Sequence, residues 1–495
     1  MCSLNDLGCD TFEISQTVEE SEIQTINSTA ATTCVTDIKL SCKKCGSQEI
    51  EASLRGKSGY CRTCLLSTLM HKFKATLGKS KSVRPTDSIL ITHSGKANST
   101  ALVHLMTDSA NESASKRLQF KYQMLYVDDG MVKGFSTEER KHIRNALAKE
   151  AEQLQITMYI TPLTTHTTDI LCEEIQSIDA LRTNMTHNDE SILREMFDGI
   201  ECETMKDELL RQLKQKVFIS AARKLNCNKV FIADTSIDLA IKVLGDISTG
   251  RGSQVPLNVG FSDTRYMDVI LLRPLRDFTQ NDIKGYLECH NIIPIFASGK
   301  SNQLFPGCIR NIARNFVHHL DSDFHGTVST IYRTSEKLAT KMKEKNIPND
   351  SKNVKIINDK DTCILCELTL NSCNLQGEQL SVVQARIFSE LVSTDEDFPS
   401  SMSSNLLNVY NQSKNKQMQE INDLEKKNCH CGNNTCIEFN TSQRELIEAH
   451  LCYACKLIVL NSNQKFDLLC SFLYKKIQEK LQITRLREEI SEFLL

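Results

Sequence analysis

The stretch Ile89-Leu90-Ile91-Thr92-His93-Ser94-Gly95-Lys96-Ala97-Asn98-Ser99-Thr100 organises the chain. Apolar and β-branched residues run into a Ser-Gly-Lys turn, and small residues then open a helix. A strand, tight turn and helix in that order aim backbone N–H groups outward. The helix N-terminus adds partial positive charge, so phosphate binds there naturally. Ser94, Ser99 and Thr100 can touch such a phosphate or simply cap the helix. The stretch alone leaves both roles open.

Further strand-like segments follow at Gln123–Asp128, Gln155–Thr161, Lys229–Asp234 and Val269–Leu272, the first being Ser88–Ser94. Helix-like segments stand between and after them, at Ser99–Thr107, Thr137–Leu154, Thr168–Leu181, Lys206–Leu225 and Gln280–His290. This alternation predicts an α/β domain over residues 85–345, with a mostly parallel sheet and helices on both faces. Thr183–Glu203 is polar and reads as an irregular insertion. Residues 1–38 are acidic and hold no Lys or Arg, which predicts a disordered tail. Residues 346–360 read as a polar linker, 393–428 as a mobile insertion, and 461–495 as a closing helical segment.

Lys plus Arg total 59 and Asp plus Glu 62, a net charge of -3. That balance excludes a uniformly basic nucleic-acid binder and leaves room for local basic patches. No apolar run approaches the roughly 18 residues of a bilayer span. Met1–Asp10 has neither the basic nor the apolar region of a secretory signal. The 21 cysteines are therefore expected to bind metal in the cytoplasm rather than form disulfides.

Their spacing supports that reading. Cys42 and Cys45 form a Cys-x2-Cys pair, and Cys61 and Cys64 form another after fifteen residues. Two such knuckles supply four thiolates for a tetrahedral zinc. With no open coordination position, that zinc would be structural; a redox or iron–sulfur role is the alternative. Residues 39–84 read as this zinc module with a helix attached at Leu65–Leu77. Two more knuckles, Cys363/Cys366 and Cys452/Cys455, are the natural ligands of a second zinc in a module over 361–460. The cluster Cys429, Cys431 and Cys436 competes for that role. Between Ala52 and Thr86 stand eight basic residues and no acid: Arg55, Lys57, Arg62, Lys72, Lys74, Lys79, Lys81 and Arg84. Cys289–Leu320 also lacks acids and carries Arg310 and Arg314, four apart on one helix face. Each stretch is either a phosphate-contacting RNA surface or an ordinary solvated one.

The loop, the knuckles and their order resemble the PP-loop ATP pyrophosphatase superfamily, an adenine nucleotide alpha hydrolase-like fold. Within it the chain resembles the cytoplasmic tRNA 2-thiolation protein 2 family, the partner subunit of a wobble-uridine thiolase. The matching stretches are Tyr60–Cys64, His71–Phe73, Leu77–Lys79, Tyr126–Gly130, Leu272–Asp277, Val328–Leu338 and Leu451–Cys455. The superfamily loop reads Ser-Gly-Gly-x-Asp-Ser. Here Ser94, Gly95 and Ser99 are kept, while Lys96 replaces the second Gly and Asn98 the Asp. Lys96 puts a long side chain where backbone should approach phosphate. The Cys-x-x-Cys of active thiolases is missing between Ser88 and Asn358, and the later Gly-His-Asn-like segment is Ala233–Asp238.

The resemblance therefore implies a subunit that kept the fold and lost the reaction, with ATP bound weakly or not at all. It implies a heterodimer with an active PP-loop subunit. That partner would adenylate wobble uridine 34 of the tRNAs for Lys, Glu and Gln, then transfer sulfur from a thiocarboxylated ubiquitin-like carrier. Two other readings stay open: an active ATP-dependent sulfurtransferase in its own right, and a zinc-dependent adaptor that does not bind RNA.

Overall fold

Ile89 and Ile91 point to one side of their strand and Leu90 to the other, and all three are fully buried. A strand apolar on both faces must be covered on both, and the rest of the fold supplies those covers. The computed structural model describes residues 41–48, 50, 52–54, 58–111, 120–163, 176–177, 187–266, 268–296, 304–324, 326–337, 362–368, 370, 441–460 and 467–493. The expected tail, linker and mobile insertion lie outside the described residues, as do Arg55, Lys57 and the Cys429–Cys436 cluster. Residues Ser41–Leu495 form one compact unit.

In chain order the elements are β1 (Ala52–Leu54), β2 (Ser58–Tyr60), α1 (Arg62–Ser80), β3 (Ser88–Thr92), α2 (Ala97–Asn111), β4 (Lys121–Asp128), α3 (Thr137–Gln153) and β5 (Met158–Pro162). Next come β6 (Gln176–Ser177), α4 (His187–Asp198), α5 (Glu203–Lys224), β7 (Lys229–Phe231), α6 (Ser236–Ser248), α7 (Val255–Val259), β8 (Ser262–Asp263) and β9 (Ile270–Leu272). The series ends with α8 (Gln280–Cys289), α9 (Ile309–Asp323), α10 (Thr327–Lys337), α11 (Thr441–Ala449), α12 (Tyr453–Leu460) and α13 (Asp467–Phe493).

Among the described residues, β1 and β2 pair antiparallel, and seven strands form a second sheet in the order β6-β5-β4-β3-β7-β9-β8. Its five inner strands are parallel, and the two-residue edge strands β6 and β8 are antiparallel. The chain moves from β3 outward to β4 and β5, then returns to the other side of β3 with β7 and β9. The C-terminal ends of β3, β4 and β7 therefore flank the point where the winding reverses, the usual ligand crevice of an open α/β sheet.

One face, with Ile89, Ile91, Met124, Tyr126 and Phe231, shares its core with α1, α2, α3 and α8. Leu65, Leu69, Phe73 and Leu77 of α1 recur at helical spacing and bury there. The opposite face, with Leu90, Leu125, Val230 and Leu271, packs with α4 and α5, Cys363–Leu370 and α11–α13. Reciprocal caps fix several helix starts: Ser136 with Glu139 at α3, and Thr279 with Asp282 at α8.

Two sequence expectations fail. Thr183–Glu203 contains α4, not an irregular insertion. Leu193, Met196 and Phe197 are spaced for one face of α4 and are buried, as is Ile200 just beyond its end, a pattern hidden by the polar run before them. Gln176–Ser177, expected inside a helix, pairs antiparallel with Tyr159–Ile160; there edge pairing overrides local preference. The other residues of that expected helix lie outside the described set.

Phe73 is fully buried where α1 meets the sheet's helical cover. Phe73→Ala should lower stability by about 3–5 kcal/mol, read from chemical denaturation. Arg62→Ala, exposed on the same helix, should stay within about 0.5 kcal/mol.

Candidate nucleotide loop and metal centres

Between β3 and α2 the chain turns through Gly95, whose φ of +76° falls in the left-handed region that glycine favours. A Cβ at Gly95 would also stand 2.9 Å from the Phe296 ring. Phe296 donates its backbone N–H to Gly95 O at 2.9 Å. The loop is held from below by a buried histidine. His93 Nδ1 accepts the Gly95 N–H at 2.9 Å, and its Nε2 meets Glu150 Oε2 at 3.1 Å. Glu150 Oε1 also meets His104 Nε2 at 3.3 Å. Burial alone would raise the Glu150 carboxyl, but the two histidines prevail and hold it at about 2. Ser99 Oγ accepts the Ser94 N–H at 3.1 Å and donates to Lys96 O at 2.9 Å. The two serines thus close the loop around themselves.

A cavity of about 240 Å³ opens beside this turn, lined by Ser94, Lys96, Asn98, Asp129, Lys133, Lys214, Asp234 and Asp238 among others. Its carboxylates are all engaged. Asp129 is paired with Lys133 at 2.7 Å and with Lys214. Burial opposes its ionisation, yet the two ammonium groups hold it at about 2. Asp234 takes Lys242 at 2.5 Å and Arg273 at 3.2 Å. Asp238 accepts from Thr235 Oγ1 at 2.7 Å and from Asn98 Nδ2 at 2.8 Å. An Asp at position 98 would face the Asp238 carboxylate there; Asn98 turns that repulsion into a hydrogen bond. Lys96 is exposed at the cavity mouth. The surrounding protein, with Lys214 and Arg314, lowers its ammonium below the ordinary lysine value, against the pull of Asp129 and Asp238. Asp129, Lys133, Lys214 and Asp234 were not among the sequence-expected site residues. The available signal was position: Asp129 follows directly on β4 and Asp234 comes three residues after β7, at the ligand-binding ends of the strands.

The eight expected cysteines converge into two groups, Cys42, Cys45, Cys61 and Cys64, and Cys363, Cys366, Cys452 and Cys455. Within each group all four sulfurs lie within 4.8 Å of one another. A tetrahedron with metal–sulfur bonds of ~2.3 Å has edges of about 3.8 Å. Cys45 and Cys61 stand 3.6 Å apart, as do Cys366 and Cys452. Both groups therefore fit one tetrahedral ion. They are also built alike. In each, the first pair sits on a tight turn: Gly46 N–H donates to Cys42 O, and Glu367 N–H to Cys363 O, both at 2.8 Å. Gly46 and Glu367 both have positive φ. In each, the second pair opens a helix, α1 from Cys61 and α12 from Cys452, so the partial positive charge of a helix start faces the thiolates. The first group reaches the surface, whereas the second is wholly buried. Outside these groups, Cys227 and Cys289 are also buried.

The basic residues divide. Arg62, Lys79, Lys81 and Arg84 are exposed, and Lys74 is half-buried. Lys72 departs from the RNA-contact expectation: it pairs with Asp282 at 2.6 Å and stands 5.0 Å over the Phe278 ring, tying α1 to α8. Arg310 departs further. It turns inward to Asp207 at 2.9 Å and Glu208 at 3.5 Å. Arg310 and Arg314 therefore do not form one outward face, because the neighbouring α5 supplies buried carboxylates that draw Arg310 in. Among the described residues no helix is long and apolar enough to cross a membrane.

Residues 308–457 match the family model described as cytoplasmic tRNA 2-thiolation protein 2. Cytoplasmic tRNA 2-thiolation protein 2-B of Xenopus laevis is 27% identical over 514 residues, spanning 92% of this chain and 94% of that protein. Cytoplasmic tRNA 2-thiolation protein 2 of Anopheles gambiae is 30% identical over 304 residues, 60% of this chain and 70% of the relative. The chain belongs to this family. Among solved structures, the U34-tRNA thiolase NcsA from Methanococcus maripaludis with its [4Fe-4S] cluster is similar at 16% identity and a TM-score of 0.44, over 61% of this chain and 88% of that one.

Two of the family-like stretches meet in space. In Leu272–Asp277, Arg276 pairs with Glu336 at 2.5 Å, and Asp277 accepts from Tyr332 at 2.7 Å and Arg333 at 3.0 Å, all three partners lying in Val328–Leu338. Side chains of α10 thus join the two stretches through the segment that follows β9.

Glu150 titrates below its ordinary range, so its stabilising effect is complete above about pH 4.5 and is lost as the pH falls towards 2. Glu150→Gln should be less stable than the unsubstituted chain at neutral pH by on the order of 2 kcal/mol. The gap should shrink below pH 4.5 in denaturation at stepped pH. For the metal centres, chelation should unfold the module around α1, because site formation and folding are coupled. Circular dichroism with metal analysis checks this, and recovery on adding zinc is expected.

Proposed function

We propose that this chain is the tRNA-gripping, non-catalytic subunit of a cytoplasmic complex that 2-thiolates wobble uridine 34. The observation that carries the reading is the charge state of the cavity: Asp129, Asp234 and Asp238 each already have a donor from this chain. A magnesium–triphosphate complex needs carboxylate oxygens to hold its metal and backbone close to its phosphates. Here the carboxylates are engaged and Lys96 occupies the loop's second glycine position. Adenylation is then the task of a PP-loop partner that retains those features. That partner would also transfer sulfur from a thiocarboxylated ubiquitin-like carrier, acting on the tRNAs for Lys, Glu and Gln.

The grip is assigned to the exposed cations Arg62, Lys79, Lys81 and Arg84, which engage no carboxylate among the described residues. Arg62 and Lys79 lie on α1, and Lys81 and Arg84 just beyond it; phosphate contact there gives affinity without base readout. Both metal centres are assigned structural zinc, since four thiolates leave no open position. One observation favours a second reading, an active sulfurtransferase: Lys96, Lys133, Lys214 and Arg314 keep the cavity attractive to an anion.

The isolated chain should show no ATP–pyrophosphate exchange and should restore tRNA thiolation when mixed with an active homologue. Thiolation by the chain alone, lost in Lys96→Ala, would establish the second reading. Replacing Arg62, Lys79, Lys81 and Arg84 by Ala should lower the slope of log affinity for tRNA against log salt by roughly 3. An unchanged slope removes this surface from the interface, and no tRNA binding at low salt leaves a zinc-dependent adaptor.

A further inference from the structure

Arg251 has a fully buried guanidinium that neither the loop nor the basic surface uses. It follows α6 and precedes α7. Its Nη2 donates to the Cys455 sulfur at 3.1 Å and to Glu208 Oε1 at 2.7 Å, and its Nη1 donates to Gln254 Oε1 at 3.2 Å. Glu208 is itself fixed by Arg211 at 2.8 Å and by Gln212 at 2.6 Å. Glu208 on α5 thus holds the Nη2 group that also reaches the sulfur. The adjoining backbone is shaped for the same approach. Gly250 has φ +77°, and a Cβ there would stand 2.6 Å from the Tyr453 ring, between the two helix-borne cysteines.

Four thiolates around a divalent ion carry a formal charge of minus two, and here that charge is buried. A buried charge needs a compensating partner. We infer that Arg251 is an integral part of the second metal centre, holding the Cys455 thiolate and neutralising part of the charge of its metal-bound set. The first centre needs no such residue, because Cys45 is exposed and water can solvate its charge. Arg251 is a positioning residue: it touches a ligand, not the ion.

The test uses the full zinc-loaded chain and two substitutions. Arg251→Met removes the donor and leaves Glu208 paired with Arg211. Arg251→Lys keeps the charge without the fork. Titration with a chromophoric zinc chelator should show two ions per unsubstituted chain. In Arg251→Met one of them should be lost at a roughly 10- to 100-fold lower chelator concentration, with the other unmoved. Arg251→Lys should restore part of the retention. In the cadmium-113 form, Arg251→Lys should shift one of two metal resonances and leave its companion in place, a signature that general loosening of the core does not produce. A lower melting temperature with unchanged retention and unchanged resonances would overturn the inference. So would a chain that binds only one ion, or a loss shared equally by both sites.

Discussion

A parallel sheet with apolar side chains on both faces has to be covered twice, and in this chain each cover leads to four converging sulfurs. On one face α1 carries Leu65, Leu69, Phe73 and Leu77 into the core and begins at Cys61 and Cys64. On the other, Cys363–Leu370 and α12 bury against α5 and begin or end at the second cysteine group. Neither segment is long: Cys363–Leu370 makes no regular element, and α12 has eight residues. Such short pieces have little cooperative stability of their own. An ion shared by the four converging sulfurs would hold them as rigid walls. The two centres are therefore equivalent in construction and differ in exposure, and the exposure follows from where each lies relative to the sheet.

The same kind of internal constraint holds the loop between β3 and α2 in shape. The turn at Gly95 is set by φ, by the His93–Glu150–His104 stack beneath it and by the Phe296 contact. None of these requires a ligand. Asn98 bonding Asp238, and Lys133 and Lys214 bonding Asp129, close the cavity's charge within the chain. The loop geometry is thus set by contacts within the chain.

What could be read in advance follows the range of the interactions. Strands β3, β4 and β7, helices α1, α3 and α5 and both cysteine groups rest on local pattern or on ligand chemistry, which the sequence displays directly. Position Asn98 was legible as a departure, but its partner Asp238 lies 140 residues away and had no local sign. Helix α4 was obscured because its buried apolar face is short, Leu193, Met196 and Phe197, within polar surroundings. Lys72 and Arg310 looked like surface cations, since composition reports charge and not direction. Asp282 and Glu208 decide their orientation, and those contacts are set by the packing of distant helices.

Arg310 also shows how the second centre bears on the cavity. Glu208 gathers Arg211, Arg251 and Arg310, and Arg251 reaches Cys455. Arg310 lies in the first turn of α9, so this buried cluster fixes where that helix starts. One turn later α9 presents Arg314, whose charge is felt at Lys96. The thiolate centre and the loop thus share a rigid support running through α5 and α9. A residue such as Glu208, remote from both metal and loop in sequence, is the point at which their positions are jointly determined. Its burial among three guanidinium groups makes it costly to replace: removing the carboxylate would strand like charges together in the core, and both sites would lose their common reference.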